Sequence, residues 1–96
     1  MAHYVLLLNW TEQGIRGVKD TVKRAASARQ MVEKMGGRVN DCQWTLGAFD
    51  LVLTLEAPDD ETITAMSIKL AGLGNVRTTT LRAFSEAEME KILQKV

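Results

Sequence analysis

Two amphipathic helical stretches, each set between two strand-like runs, constrain this chain more than any other feature. In the first, Val22, Ala25, Ala28, Val32 and Met35 recur at spacings of three and four, which is one face of a helix. Ile63, Met66, Leu70 and Leu73 repeat the pattern in the second. Asp20 is a candidate N-cap for the first helix, and Gly36-Gly37 its stop. Pro58 with Asp59 and Asp60 opens the second, where acids meet the positive end of the helix dipole, and Gly72 and Gly74 close it. The flanking runs read as strands: Tyr4–Leu8 and Arg38–Leu46 around the first helix, Phe49–Glu56 and Val76–Ala83 around the second. Thr78, Thr79 and Thr80 suit the last strand because β-branching favours extended backbone. Between Thr11, a plausible cap, and Val18 the glycines at 14 and 17 leave only a short helical turn or structured loop. Ser85-Glu86-Ala87-Glu88 is a capping box opening a last helix with Met89, Ile92, Leu93 and Val96 apolar. The pattern predicts an α+β, ferredoxin-like βαββαβ domain over residues 1–96 with an extra C-terminal helix.

Right-handed crossovers put both main helices on one face of such a sheet. The other face is then bare. Tyr4-Val5-Leu6-Leu7-Leu8 is an unbroken apolar run, which predicts burial on both sides. The hairpin Cys42–Val52 is two-faced. A type II′ turn at Gly47-Ala48 pairs Leu46 with Phe49, Thr45 with Asp50, Gln43 with Val52 and Asp41 with Thr54. Trp44, Leu51, Cys42, Leu53 and Leu55 then face the helices, with Trp44 assigned to the core and Cys42 to a small buried position beside Leu53. The bare face mixes Val39 and Val52 with Thr45 and Thr54. A half-apolar face needs a cover, and a second copy related by a two-fold axis is the simplest. That predicts a homodimer, or a higher homo-oligomer, of the dimeric α+β barrel type, with room for a small ligand between the sheets.

The chain has 96 residues, enough for one modest core, and its 12 Lys and Arg balance 12 Asp and Glu. Neutrality argues against nucleic acid, where phosphate neutralisation supplies much of the affinity. The basic run Arg16, Lys19, Lys23 and Arg24 reads as a solvated helix face. Cys42 is the only cysteine, so neither an internal disulfide nor a multi-cysteine zinc site is expected. No His/Asp/Glu cluster has metal spacing, and no metal or other cofactor is expected. Neither a signal pattern nor a membrane-length apolar run appears, so the expectation is a cytoplasmic protein without a membrane partner.

Several stretches resemble the GYD domain family. They are Tyr4–Gly14, Trp44–Val52, Glu56–Asp60, Leu73–Thr78 and Thr80–Phe84, in the family's order and over nearly the whole chain. The family's Gly-x-Tyr-Asp turn corresponds to Gly47, Phe49 and Asp50, so the tyrosine hydroxyl is missing here. The resemblance implies a ferredoxin-like fold in the dimeric α+β barrel superfamily and names no reaction. Haem-degrading members of that superfamily use a helical histidine as axial ligand. His3, the only histidine, precedes a strand instead.

Asp50 is the leading candidate for a functional residue, either as a base or ligand-binding carboxylate at the barrel mouth or as a brace for the hairpin. Thr45 is its nearest expected partner. Asn9 and Trp10, where the first strand ends, are candidates to bind and wall a ligand, although Thr11 capping a helix with Trp10 packed on it explains them structurally. Tyr4 and Thr54 complete the candidate ligand set. Arg77 and Arg82 fall on opposite faces of the last strand. Three functions compete: a homo-oligomeric small-molecule-binding or regulatory protein, a cofactor-free monooxygenase or isomerase of the same superfamily, and a structural assembly unit. The absence of a complete catalytic motif favours the first and third.

Overall fold

In a computed structural model covering residues 1–96, the chain folds as β1 (Ala2–Trp10), α1 (Glu12–Arg16), a 3-10 turn (Val18–Asp20), α2 (Thr21–Lys34), β2 (Arg38–Trp44), β3 (Leu51–Ala57), α3 (Asp60–Gly72), β4 (Val76–Ala83) and α4 (Glu86–Leu93). The sheet is antiparallel throughout with order β2-β3-β1-β4. This is the ferredoxin-like βαββαβ arrangement with an added C-terminal helix.

Local signals set most boundaries. Thr11 caps α1 by accepting from the Gly14 amide, and Asp59 caps α3 by accepting from the Thr62 amide. At α4, Ser85 and Glu88 form both halves of a capping box. Gly36 leaves α2 at φ +88°, a left-handed conformation that a side chain would strain. The α1 turn is pinned to the loop before β4: the Thr11 hydroxyl donates to the Gly74 carbonyl at 2.5 Å, and the Thr11 amide to the Asn75 carbonyl at 3.0 Å.

The core lies between the sheet and α2 and α3. Tyr4, Leu6 and Leu8 from β1 and Leu51, Leu53, Leu55 and Ala57 from β3 meet Val32 of α2 and Ile63 and Met66 of α3. Alternate residues of these two strands are buried; the others, including Val5, Leu7, Val52 and Thr54, are half-buried. The apolar run of β1 is therefore buried on one face only within the single chain. Register across the sheet groups Leu81, Val5, Leu7 and Val52 into a diagonal apolar stripe on the open face, flanked by Thr54, Thr79, Gln43 and Arg77.

Four expectations need correction. Pairing of β2 with β3 follows the predicted register from Trp44 to Asp41, but slips by one between Val39 and Asp41. A bulge of this kind switches the side to which the following residues point. Val39 therefore pairs with Leu55 and packs on the helix-side core, away from the open face. Trp44 does face the helices, with its indole N–H donating to the Thr21 hydroxyl at 3.0 Å, but it belongs to an edge strand and stays 40% exposed. His3 lies within β1, paired with Glu56 and Ala83. Along α4, Met89 and Leu93 are exposed and only Ile92 is half-buried, so the apolar side of that helix is largely unpacked within the chain.

Candidate functional site

The tip joining β2 to β3 is wider than a two-residue hairpin. Strand pairing ends at Trp44 and Leu51, and residues 45 to 50 form the connection. The Thr45 amide still donates to the Asp50 carbonyl at 2.9 Å, which keeps the predicted alignment of the two residues. Gly47 sits at φ +122° in open space, so its need for glycine is conformational and not steric. Leu46 is fully exposed and Phe49 half-buried.

Asp50 binds the end of β1. Its amide donates to the Leu8 carbonyl, and its carboxylate Oδ2 accepts from the Trp10 amide, both at 2.9 Å. Main-chain pairing of β1 with β3 ends at Leu8 and Leu51. One residue further, Asp50 supplies a side-chain oxygen where the ladder has no more carbonyl to offer. The Thr45 hydroxyl donates to the Phe49 carbonyl at 2.6 Å and does not bind the Asp50 carboxylate. Asn9 is exposed at the same strand end; with its amide nitrogen turned toward the tip it donates to the Ala48 carbonyl at 3.2 Å.

Tyr4 and Thr54 lie elsewhere. Tyr4 is buried on the helix side, and its hydroxyl donates to Asp60 Oδ1 at 2.5 Å. Burial, then the Asp60 hydrogen bond and charge, push its pKa up to about 12. The Arg82 guanidinium lies 5.6 Å from the Tyr4 ring centroid. Thr54 is on the open face, opposite Val5 and Asp41. The six candidate ligand residues therefore divide among the tip (Asp50, Thr45), the open face (Asn9, Thr54) and the helix side (Tyr4, Trp10). No single site unites them.

A concavity lies on the helix side. A cleft of about 510 Å³ opens between α2, α3 and the sheet. Leu8, Leu51, Leu53, Leu70, Val76 and Trp10 are among its apolar walls. Its origin is the sequence of α2. The last turns of that helix put Val32 in the core with Met31 packed against it, whereas the small side chains of Thr21, Ala25 and Ala28 line the cleft. Lys23, Arg24, Ser27, Asp20 and Asn75 line the polar part of the cleft. Arg24 is held there by donating to the Gly14 carbonyl at 3.0 Å. Cys42 borders the apolar part, its thiol pKa raised by burial. Of the sequence candidates only Trp10 lines this cleft. Nothing in the sequence marks it, because Ala25 and Ala28 read there as ordinary members of the helix's apolar stripe. No group of three or more His, Cys, Asp or Glu side chains is placed to hold a metal ion, and no helix is long and apolar enough to cross a membrane.

Comparison with known proteins agrees with this architecture. A crystal structure of MtbAldR superposes with a TM-score of 0.60 at 17% identity, covering 88% of this chain and 52% of that one. This likeness is one of fold, and the chain spans about half the length of that structure. A Thermus thermophilus protein named "Glutamine synthetase and cystathionine beta-lyase binding protein" is 30% identical over 90 residues, covering 93% of this chain and 95% of that protein. The GYD domain matches residues 4–93, from within β1 to the end of α4, and the chain belongs to the GYD domain family.

Proposed function

We propose that this protein is a homo-oligomeric regulatory protein that acts by contact with other proteins, without chemistry of its own. The observation that carries the reading is the open sheet face. Helices cover one side of the sheet, while the stripe Leu81, Val5, Leu7 and Val52 on the other side has no cover within the chain. Burying that stripe against its own copy removes apolar surface from water at about 25 cal/mol per Å². The Thermus thermophilus relative, named for binding two enzymes, supports an enzyme as the further partner. Engagement of the Asp50 carboxylate by the Trp10 amide favours a structural role for that acid over one as a general base.

Sedimentation velocity at micromolar concentration tests self-association. The expected species is a dimer or larger, and Val52→Lys is expected to dissociate it while circular dichroism shows the fold intact, because an unpaired charge is costly to bury. A wild-type monomer across the micromolar range overturns the oligomer. The partner is tested by co-sedimentation with glutamine synthetase and cystathionine beta-lyase from the same organism. Absence of a complex with either enzyme removes the support drawn from the relative.

A further inference from the structure

We infer that the cleft between α2, α3 and the sheet is a binding site for a small amphipathic anion, an apolar chain ending in one carboxylate. The inference is independent of self-association, since the cleft opens on the side of the sheet opposite the bare face. Its volume, about 510 Å³, lies within the roughly 300–1,000 Å³ of typical small-molecule sites. The floor is aliphatic, with Leu8, Leu51, Leu53 and Val76 from three strands and Leu70 from α3. Nothing in that floor recognises a polar group, so the occupant enters with an apolar end.

The charges bordering the cleft select the other end. Lys23 and Arg24 contribute two cations and Asp20 one acid, and none of the three takes part in an ion pair. Arg24 is oriented by its bond to the Gly14 carbonyl, which engages a neutral acceptor and leaves the positive charge unneutralised. The Ser27 hydroxyl offers a further donor beside them. A carboxylate at this edge gains two cations against one acid. An ammonium gains one acid against two cations. The balance therefore favours an anionic head group, with the chain extending toward Leu8 and Leu53.

Decanoate is a suitable probe, with decanol as its uncharged counterpart. Three native reporters surround the cleft: Trp10 lines it, the Trp44 indole is bonded to Thr21 at its edge, and Cys42 borders it. Submillimolar decanoate is expected to change tryptophan fluorescence saturably and to slow alkylation of Cys42 by iodoacetamide. Ala28→Phe, which fills the space left by the small face of α2, is expected to abolish both effects. Lys23→Glu, which reverses one charge at the polar edge and leaves the apolar floor untouched, is expected to weaken decanoate about three- to five-fold, as for an exposed charge pair, without weakening decanol. The inference is overturned if decanoate gives no saturable signal, if Lys23→Glu leaves its affinity unchanged, or if folded Ala28→Phe binds it as the wild type does. Loss of binding in Val52→Lys with retention in Ala28→Phe would place the probe on the open face and equally overturn it. An unfolded Ala28→Phe leaves Lys23→Glu as the deciding variant.

Discussion

Asp50 allows the sharpest test of how the tip is held. Its carboxylate accepts from the Trp10 amide at 2.9 Å, where pairing between β1 and β3 has ended. Truncation to alanine removes a charge-assisted hydrogen bond and leaves a part-buried backbone donor without its partner, a loss of about 1.5–3 kcal/mol. With a urea slope of about 1–2 kcal/mol/M for a small domain, the unfolding midpoint is expected to fall by roughly 1–2 M. The corresponding loss of thermal stability, at about 4–8 °C per kcal/mol, is on the order of 10 °C. Asp50→Asn keeps an oxygen that can accept from the same amide, and is expected to lose less than half as much. Both are measured by urea unfolding at one fixed protein concentration, because an oligomer's midpoint depends on concentration. An alanine variant with the wild-type midpoint would refute the bracing role. Asparagine as destabilised as alanine would show that charge, and not hydrogen-bonding shape, holds the tip. Asparagine with normal stability but lost partner binding would reassign the acid to function.

Tyr4 makes alkaline stability predictable in sign. Its folded pKa of about 12 lies above the ordinary 10.0, so the stability linked to the neutral phenol is whole below pH 10 and is lost as pH rises through 12. Tyr4→Phe is expected to remove that alkaline step in urea midpoints measured from pH 9 to 12, and to cost about 1 kcal/mol at neutral pH through the lost Asp60 bond. Gly14 is buried against the loop before β4, and a Cβ there would overlap the Asn75 carbonyl oxygen; Gly14→Ala is expected to cost about 1–3 kcal/mol in thermal or urea unfolding as the α1 turn is pushed off that loop. Ser85→Ala removes half of the α4 capping box. Because α4 buries no residue fully, the loss of about 1 kcal/mol should appear as roughly five-fold faster amide exchange in Met89–Leu93, with little change in the global midpoint.

The order of elements, the caps of α1, α3 and α4 and most of the strand register were legible in the sequence because each rests on neighbouring residues, whereas Asp20, expected to cap α2, makes no side-chain capping bond. Ser85 reaches Glu88 and Asp59 reaches Thr62 within one turn. Alternation along Leu51–Leu55 fixes which side meets the helices, and it aligns Gln43 with Val52 and Thr45 with Asp50. The resemblance to the GYD family was likewise readable from collinear stretches of residues and agrees with the match over 4–93.

Features that depend on distant partners were not legible. The bulge that turns Val39 to the core arises from how β2 follows β3, and nothing at Val39-Asn40-Asp41 marks it. Trp44 has the composition of a core residue, but its place on an edge strand leaves one side without neighbours to cover it. Asp50 was recognisable as important, yet its partner, the Trp10 amide, is 40 residues away. The cleft needed the fold most of all. Alanine at 25 and 28 is ordinary in an amphipathic helix, and it becomes a cavity wall only because α2 is carried over the sheet. Periodicity and caps are determined by contacts three or four residues apart, so the sequence alone determined the architecture. Which side chains meet across the sheet is set by chain crossings dozens of residues long, and only the tertiary structure decided it.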